Sequence, residues 1–279
     1  MPEGPEVTVI RDGLNRHLKG HTVTSVSLPE GSKFLKKSPD GLNDFKKMLP
    51  LKVTEVKSKG KFIYFVFEKG WYLMCRLLMS GGWHLKKAPK HNHCQLEYQV
   101  GTASKTDSIW FVDQRHFGTL KWTNKKSDLD DELNKLGPDL LNETINESNY
   151  LKTMKKHSKK SIAKVLMDQS IFSGIGNYLK AEILYEAKVS PHALIKNLDD
   201  AKLKEIFKIS VDEIKTSYKA GGASVRHYTD IRGKDGTYAF NFKVYQKKVD
   251  PLGNKVKTEK TKDGRTTHWV PDVQLDYAD

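Results

Sequence analysis

Cysteine is scarce in this 279-residue chain, which contains only Cys75 and Cys94. Two cysteines exclude a disulfide-rich scaffold and fit a protein of a reducing compartment. No apolar run approaches the roughly 18 residues of a membrane-spanning helix, so we expect no membrane association. The first residues also lack a basic segment followed by an apolar one, so we expect no secretion signal.

Acidic residues are outnumbered, because 34 Asp and Glu stand against 48 Lys and Arg and leave a formal net charge of +14. Such an excess favours a polyanionic partner, most often nucleic acid, through phosphate neutralisation and counterion release. The charge alone leaves DNA, RNA and an acidic protein open.

The first half of the chain combines one helical pattern with many short strand-like runs. Val7, Ile10, Leu14 and Leu18 recur at helical spacing and predict a helix over 6–18. The following runs are short and separated by turn residues, which favours an antiparallel sandwich or barrel. The predicted strands are 22–28, 51–57, 61–68, 71–78, 93–100, 108–113 and 118–122.

The second half changes character after a polar stretch at 124–128. Apolar residues then fall at helical intervals to about residue 220, which predicts a helical domain. Strand-type residues return at 238–245 and 268–270 around a basic segment, which predicts a β-hairpin. The expected divisions are a β-sandwich domain (1–124), a helical domain (125–236) and a hairpin (237–279).

The N-terminus carries a candidate nucleophile. Removal of Met1 would leave Pro2 with a free α-amine, whose pKa of about 7.7–8.0 lies well below the ~10.4 of lysine. A neutral amine attacks electrophilic carbon and forms Schiff bases, and a secondary amine gives an iminium directly. Glu3 could move protons beside it, and Glu6 follows one helical turn later. An unreactive start remains the alternative, because Met-Pro starts are common.

A glycine turn interrupts the helical domain at Gly174-Ile175-Gly176. The two glycines are predicted to end one helix, and Asn177 to cap the next. Such a turn presents backbone N–H groups to an anion, and an ordinary corner between two helices is the alternative. Five lysines precede the turn and add positive charge: Lys155, Lys156, Lys159, Lys160 and Lys164.

The C-terminal segment is strongly basic, with eight lysines and arginines from Lys243 to Arg265. Asp263-Gly264 can form a tight turn that places Arg265 near its tip, where a guanidinium can grip a phosphate. A solvated lysine-rich edge is the alternative. The segment contains no cysteine, which excludes a cysteine-based zinc ribbon here.

Three side chains at predicted loop tips are candidates for insertion into a base stack. Met79 leaves the strand at 71–78, and Arg115 and Phe117 lie in a loop before the next strand. Apolar wedges of this kind unstack bases, whereas local packing is the alternative. The segment 91–94 (His-Asn-His-Cys) lacks a second ligand pair, so no metal site is expected there.

Six segments in order resemble one family, the formamidopyrimidine-DNA glycosylase/endonuclease VIII enzymes of base-excision repair. They are Pro2-Glu3-Gly4-Pro5-Glu6, Gly60-Lys61-Phe62, Met79-Ser80-Gly81, 113–118, 136–141 and 168–177. The resemblance implies an α+β fold. It consists of an N-terminal two-layer antiparallel β-sandwich with a flanking helix, then a helix-two-turn-helix domain with a DNA cleft between the two.

The resemblance also implies roles for single residues. Pro2 would be the nucleophile at C1′ of the damaged nucleotide, Glu3 the proton-transfer residue, and Lys61 a phosphate contact that assists the chemistry. Asn177 would bind the phosphate beside the lesion, and Glu6 would lie where the damaged base is held. Met79, Arg115 and Phe117 would fill the space that the flipped nucleotide leaves.

The C-terminus departs from the family's majority, which ends in a four-cysteine zinc finger. The segment Asp263-Gly264-Arg265-Thr266, followed by Trp269, is similar to the zincless finger of the endonuclease VIII-like branch. This likeness implies that the hairpin keeps its shape without metal and that Arg265 makes the phosphate contact. We therefore expect neither a metal nor a cofactor.

The implied activity is that of a bifunctional DNA glycosylase and abasic-site lyase, acting as a monomer inside the cell, in the nucleus if the source is eukaryotic. Its partner would be double-stranded DNA with oxidised bases or abasic sites, with single-stranded DNA left open. The branch favours oxidised pyrimidines and hydantoins. The alternatives are 8-oxoguanine and formamidopyrimidine purines, or a non-catalytic protein that binds damaged DNA.

Overall fold

The computed structural model describes residues 1–100, 105–224 and 228–277. The chain forms two compact units. The first unit comprises Met1–Pro2, Glu6–Asn134 and Gly221–Thr237, and the second comprises Glu3–Pro5, Lys135–Ala220 and Tyr238–Asp279. The three-part division at residues 124 and 236 stays a prediction.

The first unit is built on antiparallel strands with three helices. The helices are α1 (Gly4–Leu18), whose first residues belong to the second unit, α2 (Leu42–Met48) and α3 (Lys126–Asn134). The strands are β1 (Thr22–Ser27), β2 (Leu51–Lys59), β3 (Phe62–Phe67), β4 (Tyr72–Arg76), β5 (Gly81–His84), β6 (Asn92–Gln99), β7 (Thr106–Asp113) and β8 (Thr119–Thr123).

The eight strands follow the order β5-β7-β6-β1-β2-β3-β4-β8. The two halves meet where β1 pairs with β2, at Thr22 opposite Lys52 and Val23 opposite Leu51. Phe65 of β3 and Trp83 of β5 are far apart in this order, yet their ring centroids lie 5.2 Å apart. The halves therefore stack as two layers, and the predicted sandwich is confirmed.

Helix α1 closes the sandwich core, as its apolar spacing predicts. Val7, Ile10, Leu14 and Leu18 are all buried in the main hydrophobic cluster. Burying each such side chain contributes about 1.5–3 kcal/mol, so this stripe fixes the helix against the sandwich.

The second unit is mainly helical. Its helices are α4 (Glu147–Lys155), α5 (Ile162–Met167), α6 (Asn177–Glu186) and α7 (Asp200–Lys219). Helix α6 is buried on every side except at its ends, and even Lys180 and Glu182 are inaccessible. None of the helices in the described ranges is long and apolar enough to cross a bilayer.

The predicted C-terminal hairpin exists but lies later in the segment than the strand-type residues at 238–245 suggest. Its strands are β9 (Lys257–Lys260) and β10 (Thr266–Trp269), with Thr266 paired to Lys260. Residues Tyr238–Asn241 form a 3-10 turn instead of a strand. The amides of Lys243, Val244 and Tyr245 donate to the Glu182 carboxylate on α6, so they are not available to pair with another strand.

Candidate functional site

A cavity of about 260 Å³ opens in the first unit beside the N-terminus. Pro2 lines it together with Met79 and Arg115, so the structure brings together three residues that lie far apart in the sequence. His84 and Tyr228 are also part of its wall. A group bound in this cavity would therefore lie beside Pro2, one cationic side chain and one flexible apolar side chain.

The loop that carries Arg115 is held by the buried carboxylate of Asp113. That carboxylate accepts hydrogen bonds from Ser80 Oγ (2.6 Å) and from the Gly118 amide (2.6 Å), and Lys33 Nζ lies 3.2 Å away. Burial alone would raise the pKa of Asp113, but these hydrogen bonds and the Lys33 ammonium lower it. Asp113 therefore ties the turn after Met79 to the loop with Arg115.

Phe117 lies on the same loop and is half exposed (50 %). The Arg115 guanidinium carbon lies 5.1 Å from the Phe117 ring centroid, which is a cation–π contact. An exposed aromatic ring held by a neighbouring guanidinium suits stacking on a base. The insertion of Met79, Arg115 and Phe117 into a duplex stays a prediction.

Lys61 occupies the tight turn between β2 and β3. It follows Gly60, whose φ of 54° is a conformation that glycine adopts easily. Lys61 itself is half-buried. Its phosphate contact stays a prediction.

Glu6 fixes the loop that follows α7. Its Oε1 accepts a 2.7 Å hydrogen bond from the Ala223 amide. Gly222 has a φ of 88°, and a side chain there would press on the Glu6 carboxylate. The Tyr228 hydroxyl donates to the Gly221 carbonyl at 3.1 Å. Glu6 thus holds this loop by a direct hydrogen bond, and its contact with a damaged base stays a prediction.

The loop at 221–240 belongs in part to the cavity wall, through Tyr228 and Thr229. Residues 225–227 of this loop lie outside the described residues.

Glu3 is buried (3 % exposed) and caps α6 in the second unit. Its carboxylate accepts hydrogen bonds from the amides of Gly176 (2.7 Å), Tyr178 (2.9 Å) and Leu179 (3.3 Å). A side chain on Gly176 would collide with the Glu3 carboxyl group, so the second glycine of the turn is needed for this approach. The helix N-terminus is a favourable place for a carboxylate.

Two predictions for the glycine turn are therefore wrong. Asn177 does not cap α6, because it is the first helical residue and Gly176 occupies the cap position. The N–H groups of Gly176, Tyr178 and Leu179 are not open to an external phosphate, since Glu3 accepts their hydrogen bonds. The site does bind an anion, but that anion is a carboxylate of the same chain.

Asn177 instead connects α6 to the hairpin. Its Nδ2 donates a 2.8 Å hydrogen bond to the Thr266 carbonyl. Its Oδ1 is buried without a hydrogen-bond partner among the residues that the structure describes. Arg265 directly precedes Thr266 and is exposed at the hairpin turn. The two predicted phosphate ligands of this unit therefore lie close together.

The two cysteines and the histidine-rich segment at 91–94 offer little reactivity. Burial raises the pKa of the Cys75 thiol to about 12 and also raises that of Cys94, so both stay protonated. Both nitrogens of His93 have neighbours, since Nδ1 accepts from the Lys33 amide and Nε2 lies 3.0 Å from the Asp113 carbonyl. Within the described ranges, no three potential ligands cluster around a metal-sized site.

Sequence reasoning missed several residues of these sites. One is His84, which lies in the cavity wall, where burial lowers the pKa of its imidazole and favours the neutral form. Asp113 is another, although its place before the Arg115 loop is a usable signal. The third is Lys180. A lysine within an apolar helix normally indicates an exposed face, so the sequence did not indicate that it is buried.

Comparison with known proteins gives consistent matches along the chain. The models that match are the formamidopyrimidine-DNA glycosylase N-terminal domain (residues 1–120), the H2TH domain (136–229) and the C-terminal domain (229–275). The formamidopyrimidine-DNA glycosylase of Listeria monocytogenes is 31% identical over 98% of this chain and 100% of its own length. That of Streptococcus agalactiae is 31% identical over 90% of each chain.

Solved structures share the fold. One is the complex between the Lactococcus lactis Fpg and DNA containing an abasic site, at 25% identity and a TM-score of 0.82. Another is MutM in complex with DNA containing carbocyclic 8-oxo-G, with the same identity and TM-score. Each match covers 98% of this chain and 99% of the other.

Proposed function

The chain belongs to the formamidopyrimidine-DNA glycosylase family, and from this membership we propose that it is a bifunctional DNA glycosylase and abasic-site lyase of base-excision repair. The observation that carries the proposal is Pro2 in the wall of a cavity that Met79 and Arg115 also line. The residue after Pro2 is Glu3, a carboxylate held by three amides. A nucleophile beside an acid–base group is what base excision with strand cleavage requires.

The proposed reaction begins when the damaged nucleotide leaves the duplex, which a lesion makes easier. The Pro2 nitrogen attacks C1′, the glycosidic bond breaks, and the base departs with the bonding electrons and takes up a proton. The Pro2 nitrogen then loses its proton and the C1′–O4′ bond breaks, with O4′ taking up a proton, so that the opened sugar is bound to Pro2 as an iminium. Loss of a C2′ proton expels the 3′ phosphate, a second elimination expels the 5′ phosphate, and water releases the sugar fragment from Pro2.

The remaining candidate residues are assigned to DNA contacts. Lys61, Asn177 and Arg265 bind backbone phosphates, where cationic and amide donors stabilise the departing charge. Met79, Arg115 and Phe117 fill the space of the flipped nucleotide, and Glu6 supports the base through the loop it holds. The ordered positions of Asp113 and Glu6 support these assignments, because each fixes the loop that carries or faces a proposed contact.

For the substrate, we propose oxidised pyrimidines and hydantoins. The absence of cysteine from 237–279 supports the zincless, endonuclease VIII-like branch, to which this preference belongs by resemblance. The names of the relatives favour the other candidate, formamidopyrimidine and 8-oxoguanine purines.

A panel of duplexes separates these candidates. We expect single-turnover excision of thymine glycol and a hydantoin to be about tenfold or more faster than that of 8-oxoguanine, within the range that pocket contacts alone achieve. Borohydride reduction during the reaction should trap a covalent adduct. If 8-oxoguanine is the best substrate, the purine alternative is correct. If no duplex gives an adduct, including one with an abasic site, the protein only binds damaged DNA.

Arg265→Ala tests the proposed phosphate contact of the hairpin. Each neutralised phosphate contributes about 0.9 to the slope of log affinity against log salt concentration, so the variant should bind more weakly with a slope reduced by about that amount. Lys202→Met is a matched control, because Lys202 already pairs with Glu205 at 2.6 Å on α7. An Arg265→Ala slope equal to that of the unmodified protein would remove Arg265 from the contacts.

A further inference from the structure

Lys180 is a fully buried lysine (0 % exposed) in the middle of the second unit. Its ammonium nitrogen lies 2.6 Å from Asp263 Oδ2 and 2.7 Å from Thr267 Oγ1. Lys180 belongs to α6, whereas Asp263 lies in the hairpin turn and Thr267 in β10. One side chain thus connects the helix to both the turn and a strand of the hairpin.

This connection is part of a closed network of polar side chains. The hydroxyl of Thr261 donates to Asp263 Oδ1 and also lies 2.6 Å from the Thr267 hydroxyl. The Asp263 side chain is only 2 % exposed, so both charges are removed from water. Burial lowers the pKa of Lys180, although hydrogen bonding to Asp263 opposes that change. For Asp263, burial would raise the pKa, but the hydrogen bonds from Lys180 and Thr261 lower it.

A buried ion pair is a poor way to gain stability, because well-packed apolar residues of similar volume often stabilise a protein as much or more. What an ion pair does provide is a single geometry, since each partner must remain hydrogen-bonded. The hairpin has no cysteine with which to bind a structural metal. Among the described residues, the cation that bonds the buried Asp263 carboxylate of this turn is the Lys180 ammonium.

The residues around the network are those assigned to DNA. Asn177 lies on α6 one turn before Lys180, and its Nδ2 bonds the Thr266 carbonyl. Arg265 follows Asp263 by two positions, and its amide lies 3.4 Å from Asp263 Oδ1. Glu3 accepts hydrogen bonds at the N-terminus of the same helix and interacts electrostatically with Lys180.

We propose that Lys180 is a positioning residue that holds the hairpin turn against α6, so that Arg265 and Asn177 face the same stretch of DNA backbone. The part of this proposal that concerns DNA rests on the proposed function. Lys180 itself touches no phosphate, because its side chain is fully buried and its ammonium group bonds Asp263 and Thr267.

The test compares Lys180→Met, Arg265→Ala and the double variant in the full chain. Binding to a duplex with an abasic-site analogue is measured at several salt concentrations. Lys180→Met should weaken binding by about tenfold and reduce the salt slope by about 0.9, like Arg265→Ala, although Lys180 makes no phosphate contact. The double variant should bind no more weakly than either single variant, which is the signature of coupled residues.

Hydrogen exchange provides a direct structural measurement. In Lys180→Met the amide of Thr261, which bonds the Arg265 carbonyl at 3.0 Å, should exchange faster, while the amides of α7 should not change. The control Lys202→Met removes an ion pair of the same length from α7 and should leave the salt slope and the hairpin amides unchanged.

If Lys180→Met does not fold, Lys180→Met with Asp263→Leu removes both buried charges and should restore folding. This variant should still show the reduced slope, because the turn has lost its anchor. The proposal is wrong if a folded variant without Lys180 keeps the full slope while Arg265→Ala reduces it. If Arg265→Ala also leaves the slope unchanged, the failure lies in the proposed phosphate contact, and exchange of the Thr261 amide still decides whether Lys180 holds the turn.

Discussion

Any residue retained ahead of Pro2 is expected to abolish covalent trapping and to lower base excision by about a thousandfold or more. An amide nitrogen has no available lone pair, so a Pro2 joined to Met1 or to a tag cannot attack C1′. A free α-amine has a pKa of about 7.7–8.0, so a minor but reactive fraction of it is neutral at pH 7. Met1 also lines the same cavity as Pro2, so a retained methionine would occupy part of the space for the base.

The measurement compares two preparations whose N-termini are established by mass spectrometry, one beginning at Pro2 and one with two added residues. Each is mixed with borohydride and a duplex that contains an oxidised pyrimidine, and the yield of the covalent adduct is quantified on a denaturing gel. Both should bind an abasic-site analogue, which shows that the extended protein is folded. An adduct of undiminished yield in the extended protein would identify another nucleophile.

Pro2→Gly with Met1 removed separates the need for an amine from the need for proline. A primary amine still forms a Schiff base, so this variant should give a trapped adduct at a reduced rate. Loss of the adduct in Pro2→Gly would mean that the secondary amine is essential.

Local pattern was a good guide to the sandwich. The stripe of Val7, Ile10 and Leu14 predicted α1, and all seven strand-like runs became strands. These elements are determined by short-range periodicity, because a buried face must recur every two or 3.6 residues. Helix α2 and strand β5 were not predicted. They have seven and four residues, which are too few for a helical or strand period to be visible.

Contacts over a long sequence separation could not be predicted. Asparagine is a residue type that favours helix caps. The side chain that accepts hydrogen bonds at the start of α6 is instead that of Glu3, which is 173 residues from Gly176 in sequence. Lys180 and Asp263 are 83 residues apart, and nothing near either one signals the pairing. Such contacts depend on which segments the fold brings together. The candidate residues came from local chemistry and their specific roles from the resemblance, whereas the reasons for their positions came from the structure.

Glu3 connects the N-terminal segment of the chain to the glycine turn that precedes α6. The turn Gly174-Ile175-Gly176 leaves several amides at the start of α6 without helical partners. The Glu3 carboxylate accepts hydrogen bonds from three of them, and the Gly4 amide donates to the Gly174 carbonyl at 2.8 Å. Glu3, the residue after the proposed nucleophile, is therefore held in place by hydrogen bonds to main-chain groups at the start of α6.

Glu3→Gln should lower excision of a damaged base by about a hundredfold to ten-thousandfold, the usual contribution of a positioned acid–base group. Reaction at a pre-formed abasic site should be affected far less at the trapping step. That sugar already opens to an aldehyde, so Pro2 can form the iminium without protonation of a departing base. We therefore expect borohydride trapping on abasic DNA to persist while excision of the oxidised base is lost.

Stability must be separated from chemistry, because hydrogen bonds to a charged acceptor contribute about 1.5–3 kcal/mol each and an amide NH₂ cannot accept them. Glu182→Gln is the matched control. Glu182 is also buried and accepts amide hydrogen bonds from Lys243 (2.8 Å), Val244 (3.2 Å) and Tyr245 (2.8 Å). Both variants should unfold at lower temperature, but only Glu3→Gln should separate excision from trapping. Equal loss of both activities in the two variants would make Glu3 a structural cap and require another proton-transfer group.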